Sequence, residues 1–244
     1  MLEKLLPEHV LFIDIETVPQ YENLASVPEN MQKLWTKKAG QIGKEGESAD
    51  DLYGRAGIYS EFGKIVCISA GKIFRKEKER AYRVKSYCGD DEKTILLEFS
   101  VMLTSFMANP LHRICAHNGQ EFDFPYIARR MLINGLPLPI VLDIAGAKPW
   151  ELKDVMIDTL QLWKFGDYKH YTSLELLCAI FNIPTPKDDI DGSQVAGIYY
   201  KEFDIQRIAR YCEKDTLAIA QLILRFKGEP LISQENYEIA GLKE

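Results

Sequence analysis

Two acidic side chains interrupt an apolar run near the start of the chain. Residues 10–16 read VLFIDIE, and this run of strand-forming residues predicts a buried β-strand. Because side chains alternate faces along a strand, Asp14 and Glu16 are predicted to point to the same side. Two neighbouring carboxylates repel each other and are costly to bury. Either a metal cation binds between them, or the strand ends at Asp14 and both acids reach water.

A third acid follows a predicted turn in the middle of the chain. The stretch HNGQEFDFPYIARR at 117–130 places an Asn-Gly turn after an apolar strand, and Asp123 lies two residues before a proline. Proline is tolerated in the first turn of a helix, so the pattern predicts that Asp123 is the N-cap of a helix. Its carboxylate would also lie at the carboxyl end of a strand, where α/β sheets commonly bind ligands. The sequence therefore supports both a capping and a ligand-binding role.

The fourth acid lies on a long helix predicted from 205 to 226. Its core-facing stripe has six apolar residues and Asp215 in the middle, at positions 205, 208, 212, 215, 219, 222 and 226. Because an unpaired buried carboxylate is strongly destabilising, a cation must compensate Asp215. The alternatives are a metal ion and a salt bridge to Arg129 or Arg130. Tyr211 lies four residues before Asp215 and is predicted to share its helical face.

Alternating strands and helices are predicted to position these residues. Strands are predicted at 10–16, 64–74, 80–88, 111–117 and 155–160, and helices after Asp90 or Asp91, after Asn118-Gly119 and from about 205. The apolar segment at 173–181 is predicted to complete the core with the last helix. An initial hairpin followed by this alternation predicts an α/β fold with a mixed sheet. Residues 19–61 have poor periodicity and include KKAGQIGKEGESADD, which predicts a surface loop. A solvated insertion is favoured over a flap across a substrate groove.

Charge and cysteine content limit the classes of function. The chain has 244 residues and a net charge of −6, which excludes histone-like binding of nucleic acid by cationic surface alone. The five cysteines are scattered and form no CxxC pair, which favours buried reduced thiols over disulfides or a zinc knuckle. No signal peptide is expected, and no apolar stretch approaches the ~18 residues that span a bilayer. We therefore expect a cytoplasmic protein with no membrane partner.

Together, the acidic motifs resemble those of the DnaQ-like 3′–5′ exonucleases, which have the ribonuclease H-like fold. The DxE motif is matched by Asp14 and Glu16, the Nx3(F/Y)D motif by Asn118, Phe122 and Asp123, and the Yx3D motif by Tyr211 and Asp215. Tyrosine is typical of the tyrosine variant of the family, since the histidine variant needs Hx4D and position 210 is arginine. The stretches 173–195 and 211–226 resemble free-standing bacterial proteins related to the exonuclease domain of family B DNA polymerases.

The resemblance spans about residues 10–226 and implies one exonuclease domain over 1–244. The insertion at 19–61 is its main departure from the family pattern. Only twenty-nine residues follow Asp215, so no attached polymerase domain is expected. Protein partners are not indicated by any motif.

The resemblance also implies hydrolysis with two divalent metal ions, Mg²⁺ or Mn²⁺. Asp14 would bridge both ions, Glu16 and Asp215 would hold the ion that activates water, and Asp123 would hold the other. Tyr211 would orient the attacking water without being the base, since the ordinary pKa of a phenol is ~10. Carboxylates are the hard ligands that these ions prefer, so a ligand cluster without histidine or cysteine is expected.

Three residues beside the motifs are predicted to contact the substrate. Thr17 is a candidate for the terminal 3′-OH, Asn118 for the scissile phosphate and Phe122 for stacking on a base. Each also has a structural interpretation, as a turn hydroxyl, a turn residue and a core side chain respectively. Asp158 is predicted to cap the segment after its strand, and His117 is predicted to be structural. The loop at 184–194 contains Asp191-Gly192-Ser193, which suits a turn.

The expected function is hydrolysis at the 3′ ends of single-stranded nucleic acid, with DNA favoured, releasing nucleoside 5′-monophosphates. An exoribonuclease is the alternative within this class, because the choice depends on contacts to the 2′ position that no motif reports. A catalytically silent nucleic-acid-binding module on the same fold is the alternative from another class. A silent site would be expected to have lost an acid, whereas all four are present together with Tyr211.

Overall fold

A six-stranded mixed sheet forms the centre of the molecule. The computed structural model describes residues 2–167, 171–184 and 189–240. The strands are β1 (Val10–Pro19), β2 (Gly63–Lys76), β3 (Glu79–Cys88), β4 (Arg113–Ala116), β5 (Met156–Asp158) and β6 (Tyr237–Ile239), in the order β5-β4-β1-β2-β3-β6. β1 pairs antiparallel with β2 and parallel with β4, and β5 and β6 each add a parallel partner at one edge. The predicted α/β class with a mixed sheet is confirmed.

Helices flank this sheet. Those in the described residues are α1 (Glu29–Ile42), α2 (Glu92–Met107), α3 (Asp123–Ile133), α4 (Pro149–Leu152), α5 (Thr159–Lys164), α6 (Leu174–Ile180), α7 (Val195–Gly197) and α8 (Ile205–Phe226). A π-helical turn follows α7, and short 3₁₀ segments lie at Leu2–Lys4, Pro7–His9, Leu24–Ser26, Tyr53–Ile58, Ile140–Leu142 and Gln234–Asn236. None of the described helices is long and apolar enough to cross a bilayer.

Strand β1 contributes side chains to both faces of the sheet. Leu11, Ile13 and Ile15 pack in the hydrophobic cluster that contains the apolar residues of α2 and α3. Phe12 lies on the opposite face, in the cluster with Ile219 of α8. The predicted alternation along β1 is therefore confirmed. It turns Asp14 and Glu16 towards α8, the helix that carries Asp215.

The segment at 19–61 is built differently from its prediction. A loop is wrong for Glu29–Ile42, which is helix α1. Trp35 of this helix is fully buried, and its indole N–H donates to the carbonyl of Ala49 at 2.8 Å. Its ring centroid lies 5.7 Å from that of Tyr53 and 5.2 Å from that of Phe62. The sequence did not reveal this cluster because its apolar residues are widely spaced and separated by glycines and charges.

The 19–61 segment adjoins the carboxyl end of β1. Gly57 approaches the backbone of Val18 and Pro19 so closely that an added Cβ would lie 3.0 Å from the carbonyl carbon of Val18. The carbonyl of Gly57 accepts a hydrogen bond from the phenol of Tyr126 on α3 at 2.8 Å. The segment is therefore tied to the core beside the strand that carries the first two acids.

Candidate active site

The acids meet where β1 continues past the end of β4. The parallel pairing of these two strands runs as far as Phe12 and Cys115, so Asp14 lies just beyond it. Strand β5 ends at the same level, since Ala116 pairs with Asp158. This is the carboxyl edge of the parallel strands, where α/β sheets commonly bind ligands.

Asp14 is placed in a strongly unfavourable electrostatic environment. Its Oδ2 atom is buried and has no hydrogen-bond partner among the described residues. Burial raises the pKa of the Asp14 carboxyl well above its usual range, and the neighbouring Cys212 and three acids raise it further. These acids are Asp215, Glu16 and Asp123. The structure thus brings together the four acids that the motifs single out.

Asp123 is held against β1 and does not cap its helix. The N-cap prediction is wrong, because the N-cap position is Phe122 and Asp123 is the first helical residue. Its carboxylate accepts a hydrogen bond from the backbone N–H of Ile15, and the side chain is only 3% exposed. Burial, together with the charges of Asp158 and Asp215, raises the pKa of Asp123 to about 8 although hydrogen bonds oppose the shift. Asp123 therefore joins the acids of β1 through a contact that is distant in sequence.

Among the described residues, neither arginine of α3 forms the salt bridge to Asp215 that the sequence left open as an alternative. The guanidinium of Arg130 pairs with Glu92 at 2.6 Å, and both residues are buried on the opposite face of the sheet. Arg129 is exposed. Asp215 itself is buried on α8, as its position in the apolar stripe predicts.

Tyr211 lies one helical turn before Asp215 and shares its face, as predicted. Its phenol is hydrogen-bonded to the Asp215 carboxylate. Burial raises the pKa of Tyr211 far above its ordinary value, and the charges of Asp215, Glu16 and Asp14 add to the shift. The hydroxyl therefore stays protonated, which suits hydrogen bonding and not proton abstraction.

The structure also brings a cysteine to the acids, which was not expected. The Cys212 sulfur and one carboxylate oxygen each of Asp14 and Glu16 lie within 4.8 Å of one another. The Cys212 thiol donates to the backbone carbonyl of Asp14 at 3.3 Å. The expectation of a ligand set without histidine or cysteine stays a prediction. Position 212 belongs to the same stripe as Asp215, so helical periodicity already contained the signal.

Asp158 organises the edge of the sheet. Its carboxylate accepts from the N–H groups of Leu160 and Gln161, which confirms the predicted cap of α5. It also accepts from the N–H groups of Asn118 at 3.0 Å and Gln120 at 3.1 Å. One buried carboxylate thus fixes the turn that leads from β4 to Asp123.

Residues 58–240 match the model of a family described as predicted 3′–5′ exonucleases related to the exonuclease domain of PolB. This chain belongs to that family. The match identifies the chain as an exonuclease enzyme, and it includes Asp123, Tyr211 and Asp215. It begins after Asp14 and Glu16, which lie close to Asp123 and Asp215 in the structure.

The exonuclease also resembles a solved structure, that of the family B DNA polymerase from the hyperthermophilic archaeon Pyrobaculum calidifontis. The TM-score is 0.53 and the sequence identity 16% over 91% of this chain. The chain spans 25% of that polymerase. At this identity the likeness concerns the fold alone, which is ribonuclease H-like as expected.

The candidate substrate contacts of the exonuclease lie around the acids. The hydroxyl of Thr17 is hydrogen-bonded to the phenol of Tyr126. Asn118 adopts a left-handed conformation with φ 62°, which asparagine tolerates, and its Oδ1 is buried without a hydrogen-bond partner among the described residues. Phe122 is half-buried, with its ring 5.4 Å from that of Tyr126. Their roles in substrate binding stay predictions.

The loop at 184–194 is described only in part, since residues 185–188 lie outside the described residues. At its end, Asp191 accepts hydrogen bonds from the backbone N–H of Ser193 at 2.8 Å and from its hydroxyl at 2.5 Å. The predicted turn at Asp191 is confirmed.

Proposed function

We propose that this exonuclease is metal-dependent and hydrolyses the terminal phosphodiester at the 3′ end of single-stranded nucleic acid, releasing nucleoside 5′-monophosphates. The observation that carries the proposal is the environment of Asp14. Its Oδ2 is buried with no hydrogen-bond partner among the described residues, beside Glu16 and two further acids. Such an oxygen is stabilised when a cation binds it.

The donor set fits hard divalent cations. Glu16, Asp123 and Asp215 are 7%, 3% and 8% exposed, so three carboxylates are withdrawn from water together. Carboxylate oxygens are the preferred protein ligands of Mg²⁺ and Mn²⁺. In this proposal Asp14 would be the ligand shared by two ions, Glu16 and Asp215 would be further ligands of one ion, and Asp123 would be a further ligand of the other.

The protein positions these ligands from both sides of the site. Divalent ions held by these carboxylates would supply an activated water and would stabilise negative charge on the leaving oxygen. The backbone N–H of Ile15 fixes the Asp123 carboxylate, and the thiol of Cys212 fixes the carbonyl of Asp14. The protonated phenol of Tyr211, which is hydrogen-bonded to Asp215, would orient a water by hydrogen bonding.

The residues around the acids fit a terminal nucleotide. The hydroxyl of Thr17 would bind the terminal 3′-OH, and the amide of Asn118 would donate to the scissile phosphate. The exposed part of Phe122 would contact a base. DNA is favoured as substrate because the family is related to the exonuclease domain of a DNA polymerase.

Matched single-stranded DNA and RNA oligonucleotides, labelled at the 5′ end, test this proposal. With Mn²⁺ or Mg²⁺ we expect stepwise shortening from the 3′ end, faster on DNA, and none with a chelator. Asp123→Asn should abolish shortening, whereas Glu121→Gln should not, since Glu121 is an exposed acid of the same turn. No shortening of either oligonucleotide by protein with bound Mn²⁺ would instead indicate a silent binding module. Faster cleavage of RNA would indicate an exoribonuclease.

A further inference from the structure

Tyr171 is an exposed aromatic residue that the proposed mechanism does not use. Tyr171 is 58% exposed, although the backbone carbonyl of the next residue, Thr172, is hydrogen-bonded to His117. A large exposed aromatic ring next to a polar site is a feature of surfaces that bind nucleobases. Whether the Tyr171 ring can contact a bound substrate depends on where it lies relative to the acids.

His117 ties the segment that carries Tyr171 to the carboxyl edge of the sheet. Its Nε2 lies 3.0 Å from the carbonyl oxygen of Thr172, and its Nδ1 lies 2.9 Å from the hydroxyl of Thr159. A carbonyl oxygen only accepts, so Nε2 carries the proton and the neutral ring accepts from Thr159 at Nδ1. Burial lowers the pKa of His117, which keeps the ring neutral. The histidine thus joins the end of β4, the start of α5 and the backbone after Tyr171.

The ring of Tyr171 contacts His117, which directly precedes Asn118 at the carboxyl edge of the sheet. Its centroid is 5.9 Å from that of His117, with 70° between the ring planes. An edge-on contact of this kind leaves at least one face of the Tyr171 ring outside it. Burial and the charges of Asp123, Asp158 and two further acids raise the pKa of the Tyr171 phenol, in agreement with a position close to the cluster.

We propose that Tyr171 is a stacking platform for a nucleobase at the 3′ end of the substrate, and that His117 is the positioning residue that holds it. The inference rests on the proposed function and adds a binding residue to it. Next to an acidic cluster in a chain of net charge −6, phosphates are repelled, so uncharged base stacking is well suited to supply affinity. Because every base has an aromatic face, the platform accepts any of them.

Two substrates that differ only in the 3′-terminal base separate stacking on Tyr171 from the other contacts of the substrate. One oligonucleotide has a normal 3′-terminal nucleotide, and the other has an abasic tetrahydrofuran analogue there. For the parent protein with Mn²⁺, we expect loss of the base to raise KM by about 5- to 150-fold, the range of base–aromatic stacking, with little change in kcat. Tyr171→Ala should raise KM for the normal substrate similarly and remove the difference between the two substrates. Tyr171→Phe keeps the ring and should behave as the parent does.

Two further variants complete this test. Phe203→Ala removes another exposed aromatic and should leave the KM ratio unchanged, because Phe203 precedes the start of α8 at Ile205, about 15 Å along the helix from Asp215. His117→Ala should reduce the ratio while Mn²⁺ affinity stays near that of the parent. If His117 were only structural, its loss would lower the Mn²⁺ affinity of the protein, or it would lower kcat by the same factor for both substrates.

A Tyr171→Ala protein that keeps the parent's KM ratio would overturn the inference, whatever its overall activity. Absence of cleavage by the parent would count against the proposed function and not against Tyr171. In that case, fluorescence anisotropy with the same two oligonucleotides measures the ratio of their Kd values in place of the ratio of their KM values. Equal Kd values of the parent protein for the normal and the abasic oligonucleotide would then refute stacking.

Discussion

Replacing Asp123 by asparagine tests whether the acids are an electrostatic cost that a cation offsets. The pKa of this carboxyl rises from 3.8 to about 8 in the folded protein. At pH 7 the unfolded chain has an ionised Asp123, whereas folding favours its protonated form. About three pKa units separate pH 7 from the ordinary value, which corresponds to about 4 kcal/mol. Asparagine stays neutral and keeps an oxygen that can accept from Ile15.

We therefore expect Asp123→Asn to stabilise the metal-free protein at pH 7 by about 2 kcal/mol. This is roughly half of the full value, because neighbouring acids adjust their protonation in response. The sign follows from the raised pKa: the contribution of Asp123 to the stability of the parent is most favourable below pH 3.8 and becomes less favourable as pH rises to about 8. The difference in the free energy of unfolding between Asp123→Asn and the parent should grow from pH 3.8 to about 8 and then level off.

Urea unfolding with a chelator and with Mn²⁺ measures both effects. At a Mn²⁺ concentration of about 100 times Kd, the parent should gain about 2.7 kcal/mol, and the variant should gain much less. Glu121→Gln removes the same charge from an exposed position and should change stability by less than about 0.5 kcal/mol. Destabilisation of the metal-free protein by Asp123→Asn would refute the reasoning and indicate that the carboxylate has a structural partner.

Further substitutions test other parts of the structure. Tyr211→Phe should slow single-turnover cleavage at saturating Mg²⁺ by ~10- to 1,000-fold with nearly unchanged metal affinity, and a parental rate would rule out orientation of water by its hydroxyl. Arg130→Met leaves Glu92 buried without its cation and should lower the free energy of unfolding by about 3–5 kcal/mol, whereas a loss below about 1 kcal/mol would contradict the buried ion pair. Trp35→Ala should cost about 3–5 kcal/mol in urea unfolding, and a negligible loss would show that the cluster around α1 unfolds independently.

Local periodicity predicted the parts of the site that depend on one element at a time. Alternation along β1 placed Asp14 and Glu16 on one face, and the three-and-four spacing of α8 placed Asp215 on its buried face. The same stripe contains Cys212, whose contact with the Asp14 carbonyl follows from the packing of α8 on β1. Each of these positions follows from the geometry of a single strand or helix.

Features that depend on distant contacts were not predictable in this way. The pattern around Asp123 is that of a helix cap, but the backbone N–H of Ile15, 108 residues earlier, binds its carboxylate instead. Helix α1 is stabilised by Trp35 packing against residues beyond its own end, so its sequence alone has a weak helical signal. Strand β6 is three residues long and forms the edge of the sheet beside β3. It therefore has too few residues for a detectable periodicity.

The location of bound Mn²⁺ tests the central claim most directly. Anomalous diffraction from crystals grown with Mn²⁺ would locate the ions independently of any activity. We expect Mn²⁺ between β1, α3 and α8, with oxygens of Asp14, Glu16, Asp123 and Asp215 within about 2.6 Å of an ion. Asp14→Asn should weaken or remove the anomalous peaks. Mn²⁺ bound elsewhere, or carboxylates more than about 10 Å apart in the metal-loaded protein, would contradict the account.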